Sequence, residues 1–180
     1  MAGGDGEGPA LRAAAGDAGA AGEAAAAASA IVLDQAACEL LEPEVSALLE
    51  SVRGGEARAR FLALQAALDA GRVDAGHLEA LEQVLRLGIE TGRFERVYGR
   101  AADTLGRGLY ARTPSGRAAA AQAAAVSSAL GALAGSHLGG LTVAADGPGG
   151  YRLTLETDRG AVVVRIDRAG IAVSSVEVGE

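Results

Sequence analysis

Six arginines stand between positions 93 and 117: Arg93, Arg96, Arg100, Arg107, Arg112 and Arg117. Only Glu95 and Asp103 lie among them, so the stretch has a local balance of +4 inside a chain whose net charge is −7. Read as a helix at 100° per residue, Thr91 to Gly116 puts Phe94, Val97, Tyr98, Ala101, Ala102, Leu105 and Leu109 on one face. Arg93, Arg96, Arg100 and Arg107 then form a narrow stripe opposite. Each guanidinium offers planar, bidentate donors suited to carboxylate or phosphate. One reading has the stripe contact an acidic surface, either a partner's or the chain's own segment from Asp34 to Glu50, within one subunit or across a dimer. The alternative is nucleic acid, with Arg112 and Arg117 extending the track along phosphates and Tyr110 placed to stack on a base. The plain reading is the solvated outer face of an amphipathic helix.

The other reactive residue types are sparse. His77 and His137 have no carboxylate or thiol at a recognised ligand spacing, so no metal site is expected. Cys38 is the one cysteine, which excludes an intrachain disulfide and fits a small core residue better than a nucleophile. Ser127 and Ser128 lack a strand-turn-helix elbow. Carboxylate pairs such as Glu42 with Glu44, or Glu79 with Glu82, fall on faces expected to be exposed. Lysine and asparagine are absent, so Schiff-base and Walker A lysines and N-glycosylation acceptors are excluded. Loops such as GPGG lack the helix and lysine that phosphate cradling uses and read as hairpin turns. No cofactor is implied. A third, less favoured reading places a small ligand between helices and sheet, near Phe94, Tyr98 and His137.

The elements that must position these residues follow from composition and period. Residues 1–29 are a Gly/Ala mixture with scattered acids and are expected to be disordered. The rest, 30–180, is expected to be one globular domain with a helical part over 30–136 and a β-meander over 138–180. With five aromatic residues in the whole chain and no Trp, its core must be built from Leu, Val, Ile and Ala. The acidic pI near 4.9 argues against broad adhesion to nucleic acid or anionic membrane. No apolar run is long enough to span a bilayer, and the opening residues carry acid where a secretory signal has base, so a cytoplasmic location is expected.

Ala37, Leu41, Val45, Leu48 and Val52 recur at helical spacing, with Pro43 where a fresh helix could begin and an acidic outer side that includes Asp34 and Glu44. A second helix over Glu56–Ala70 shows Phe61, Leu64 and Leu68 on one face. A third opens near Asp74, which can cap it, and ends at Gly92. The arginine-striped helix follows, weakened by Gly99, Gly106 and Gly108, so that a kink or division is open. Thr113-Pro114 starts an alanine-rich helix to about Gly135, with Val126, Leu130 and Leu133 as its larger contacts.

After Leu138 the period falls from 3.6 to 2. Leu141, Val143 and Ala145, then Tyr151, Leu153 and Leu155, then Val162, Val164 and Ile166, then Ile171 and Val173 alternate with polar residues. Short Gly-bearing loops join them as a four-stranded antiparallel meander, with a bulge expected at Ser174-Ser175. The fold class is therefore α+β: about five amphipathic helices, then a meander packed on the alanine-rich helix. The function expected is a non-catalytic, homo-oligomeric protein-interaction module that presents the arginine stripe to an acidic partner.

Overall fold

A computed structural model describes the backbone of residues 30–178. The segment expected to be disordered, 1–29, lies outside them. The architecture is α+β, with helices first and a C-terminal four-stranded antiparallel sheet. Within the expected globular span the chain forms two compact units that divide between Thr113 and Pro114. The division falls before the change of period at Leu138, so the alanine-rich helix belongs with the sheet.

The N-terminal unit opens with β1 (Ile31–Val32) and α1 (Gln35–Ser51), followed by α2 (Gly55–Asp69) and β2 (Arg72–Val73). A 3-10 turn (Ala75–His77) leads into α3 (Leu78–Glu90), a π-helical segment (Phe94–Tyr98) and α4 (Arg100–Ala111). β1 and β2 form a two-residue antiparallel ribbon, too short to leave any periodicity in the sequence. Helix α1 starts eight residues before Pro43, because the Asp34 side chain caps it by accepting from the Ala37 N–H at 2.8 Å. Pro43 therefore lies inside the helix, not at a fresh start. Asp74 does sit at the start of the third helical segment, but its carboxylate accepts from Arg72 Nε instead of closing a cap. The core of this unit joins Leu40, Leu41 and Val45 of α1, Phe61, Leu64 and Leu68 of α2, Leu81, Val84 and Leu85 of α3, and Phe94 and Leu109.

The C-terminal unit comprises α5 (Pro114–Gly131), β3 (Leu138–Ala145), β4 (Tyr151–Thr157), β5 (Gly160–Asp167) and β6 (Gly170–Val178). The sheet order is β3-β4-β5-β6, all antiparallel. Val163 pairs with Ser175 and Val164 with Val173, leaving Ser174 as the extra residue of the bulge that the phase shift in β6 predicts. Val126 is buried against Val162 and Val164, with Ala129, Leu130, Leu133, Leu153, Ile171 and Val173 around them. Helix α5 packs on β6 and, to a lesser extent, on β5.

Candidate functional site

The arginine stretch does not form one helix. At Gly99 the backbone takes φ 88° and ψ 174°, a conformation that side chains disfavour, and the helix breaks there between the π-helical segment and α4. Arg93 and Arg96 therefore belong to one piece and Arg100, Arg107 and Arg112 to the next, while Arg117 lies on α5 in the other unit. A stripe assumed to keep one helical phase over 25 residues is cut after its second member.

Most of these arginines already have work within the unit. Arg93 Nε donates to both oxygens of Glu44 at 2.8 and 2.7 Å, and Tyr98 Oη donates to Glu44 Oε1 at 2.7 Å. Glu44 is the receiving end of this cluster, with its side chain only 8% exposed. It occupies the inner face of α1 beside Leu40, Leu41 and Val45, not the outer acidic side the sequence suggested. The signal was present in the spacing: residues 37, 40, 41, 44 and 45 make a continuous inward stripe with one carboxylate in it. Glu44 holds the Arg93 guanidinium still more firmly protonated. Burial first, and Glu44 next, push the Tyr98 hydroxyl above its usual value. The acidic partner anticipated for the stripe is thus met, for Arg93, by the chain's own first helix.

Arg107 pairs with Asp103 one turn back on α4 at 2.7 Å. Arg96 donates to the Thr91 carbonyl at the end of α3, and Arg112 donates to the Val32 carbonyl of β1. Arg100 is exposed and makes no such bond among the described residues. Two open clefts flank α4. One, of about 300 Å³, is lined by Arg86, Ile89, Glu90, Arg107 and Tyr110. The other, of about 330 Å³, lies between α1 and α4 and is lined by residues that include Leu40, Tyr98, Ala101 and Leu105. Each mixes opposite charges or offers a shallow apolar floor.

The glycines that the helix pattern counted as weak points have a packing role. A Cβ on Gly88 would stand 2.3 Å from Phe94 Cζ, and one on Gly106 2.6 Å from Phe94 Cδ2. The fully buried Phe94 ring is clasped between α3 and α4 at two places where only hydrogen fits. Phe94 is therefore core, and Tyr98 is committed to Glu44. His137 lies in the C-terminal unit, where its Nδ1 is 3.3 Å from Asp158 Oδ2 and its N–H donates to Asp158 Oδ1. Cys38 donates to the Leu68 carbonyl, and burial, then Glu42, push its thiol up, which suits a packing residue. Among the described residues no group of three or more His, Cys, Asp or Glu side chains could hold a metal ion, and no helix is long and apolar enough to cross a membrane.

A feature that carries no sequence motif lies in the C-terminal sheet. Register places Leu141 opposite Leu155 and Val143 opposite Leu153. These continue across β5 to Val162 with Val176 and to Val164 with Val173, and Tyr151 continues to Ile166 and Ile171. All of these side chains share one face. Over the middle of β5 and β6 that face is covered by α5, with Val162 and Val164 at 0% and 1% exposure, while Ile166 and Val176 nearer the strand ends stay exposed. Over β3 and the end of β4 it is open: Leu141 is 58%, Val143 65% and Tyr151 53% exposed. Leu138 is exposed beside them. Thr142, Thr154 and Glu156 lie on the opposite face with Arg152 and Arg165, the last two paired with Asp146 and, for Arg165, also Asp167. The sequence announced the alternation but not how far one short helix reaches across four strands.

No family model, curated protein or solved structure matches the chain.

Proposed function

We propose that this chain is a non-catalytic protein-interaction module whose contact surface is the open apolar half of the C-terminal sheet. One observation carries the reading: large apolar side chains of β3 and β4 line up, without a charge among them, on the face that α5 leaves bare. Contiguous apolar patches of this kind on a folded surface mark sites of association. A partner that buries Leu141, Val143 and Tyr151 gains roughly 25 cal/mol for each Å² of apolar surface removed from water.

The arginines support an acidic or phosphate-bearing partner less well. Arg93 and Arg107 are occupied by Glu44 and Asp103, and the break at Gly99 separates the members of the stripe. Arg96 and Arg100 remain exposed and are the residues through which such a partner would be met.

The test is affinity capture by the full chain, wild type against Leu141→Arg/Val143→Arg, with copies of the chain itself counted among the captured species. Association lost in the double variant while its circular dichroism is kept is the expected result. Equal capture by both proteins would refute the assignment of this face.

A further inference from the structure

We infer that the occupant of the open sheet face is a second copy of this chain, packed face to face across a two-fold axis. This rests on the reading of the β3–β4 face as the contact surface. Three features of the C-terminal unit lead to it.

The first is shape. Helix α5 covers only the β5–β6 half of the apolar face, so the unit presents a step one layer high beside a bare half-sheet. A helix is about 10 Å across and stacked sheets lie about 10 Å apart, so a second sheet turned over onto the bare half comes level with α5. The bare half of each copy fills the step of the other. In that arrangement each α5 also lies beside the other copy's β3. The exposed sides of α5 are largely alanine, at positions 118–121 and 123–125, which allows close approach.

The second feature is the contrast between the two sheet edges. β6 carries the Ser174 bulge and Glu177, both of which discourage pairing with another strand. β3 reads LGGLTVAA, with no charge and no proline. An edge so unprotected is normally kept from adding a strand, and in the two-fold arrangement the partner's helix stands beside it without taking up its outward N–H groups, which stay in water.

The third is the chemistry and size of the patch. It carries no charge by which to select a foreign partner, and an uncharged face opposes its own copy with no repulsion. Leu138, Leu141, Val143 and Tyr151, with Ile166 beside Tyr151, expose a patch on the order of 500 Å². Together with the β3 edge and the flank of α5 this approaches the roughly 800 Å² per partner of a standard interface.

The experiment is sedimentation equilibrium of the full chain from submicromolar to high micromolar concentration, with amide exchange at both ends of the range. Wild type is expected to shift from monomer to dimer, Leu141→Arg/Val143→Arg to remain monomeric, and Thr142→Arg, on the opposite face of the same strand, to dimerise as wild type does. Asp146 N–H donates to the Gly150 carbonyl at the hairpin. The antiparallel alternation then directs the Leu141, Val143 and Ala145 amides toward the free edge. In a face-to-face dimer those three amides stay fast-exchanging. Their becoming slow with concentration would overturn the inference in favour of edge pairing into a continuous sheet. A wild-type monomer throughout would overturn it too, whether a foreign protein or residues 1–29 prove to cover the face. Capture of a foreign protein that Leu141→Arg/Val143→Arg abolishes would then leave the interaction-module reading standing, and capture unaffected by those changes would remove both.

Discussion

The two units bury their apolar residues to different degrees. In the N-terminal unit the apolar faces of four α-helices and the π-helical segment close on one another around Phe94, and even the carboxylate of Glu44, drawn inside, is met by Arg93 and Tyr98. In the C-terminal unit one alanine-rich helix faces four strands and covers the middle of two, so a face that is continuous in sequence pattern is partly buried and partly bare. A closed core needs nothing more from outside. A half-covered sheet does, and this difference directs attention to β3 in place of the arginines, which are chemically more conspicuous.

Substitutions can break or sharpen that contrast. The largest effect is expected at the closed core: Phe94→Ala should lower stability by about 3–5 kcal/mol in denaturant titration, since a fully buried ring is removed from a slot that helices α3 and α4 cannot easily collapse. Filling the slot from the other side is next. Gly106→Ala should cost about 1–3 kcal/mol by overpacking against the ring, and Phe94→Leu in the same chain should recover part of that loss. If Gly106→Ala alone is neutral in the same titration, the clasp is looser than described.

Tyr98→Phe should cost about 1 kcal/mol through loss of one hydrogen bond to Glu44. It carries a pH signature as well. Because the Tyr98 hydroxyl is raised in the folded chain, the fold favours the protonated phenol. That contribution is complete below the ordinary tyrosine value near pH 10 and is lost as pH rises from there through the raised value. Alkaline unfolding curves of wild type and Tyr98→Phe should therefore converge above pH 10, and parallel curves would show that the hydroxyl plays no such part.

At the open face the expectation reverses. Val143→Ala should change stability at low protein concentration by no more than about 0.5 kcal/mol, because the side chain is mostly exposed, yet it should weaken association measurably by sedimentation. The smallest effect is expected for Arg96→Glu/Arg100→Glu. Both side chains are exposed, so thermal unfolding should be unchanged, and fluorescence anisotropy should detect no salt-sensitive oligonucleotide binding in wild type for the double variant to abolish.

Much of this fold was legible in the sequence, and the reasons are physical. Alternation fixed the strands, and a break in that alternation located the Ser174 bulge. The larger residues of the alanine-rich helix, Val126, Leu130 and Leu133, are the ones that meet the sheet. What escaped needed knowledge of phase or partner. A single helical period carried through Gly99 makes one stripe of arginines that in fact lie on separate pieces. The charge of Glu44 argues outward although its spacing places it inward, because a buried carboxylate is only tolerable with Arg93 and Tyr98 there to meet it. Gly106 was legible as a helix weakener and not as a ring slot, since the slot depends on a residue twelve positions away across the helix break at Gly99. The bare sheet face was hidden because sequence gives the apolar face of each strand but not the width that one helix covers.

The most direct measurement is residue-resolved carbene footprinting of the full chain as a function of its own concentration. Labelling of Leu141, Val143 and Tyr151 should be high at the lowest concentration and fall as concentration rises, while Phe94 and Leu85 stay unlabelled throughout. Low labelling of the three sheet residues at concentrations where sedimentation shows a monomer would mean that the face is already covered within one chain. High labelling at every concentration would mean that no second copy seeks it. Either result would contradict an open apolar half-sheet as the surface on which this protein associates with itself.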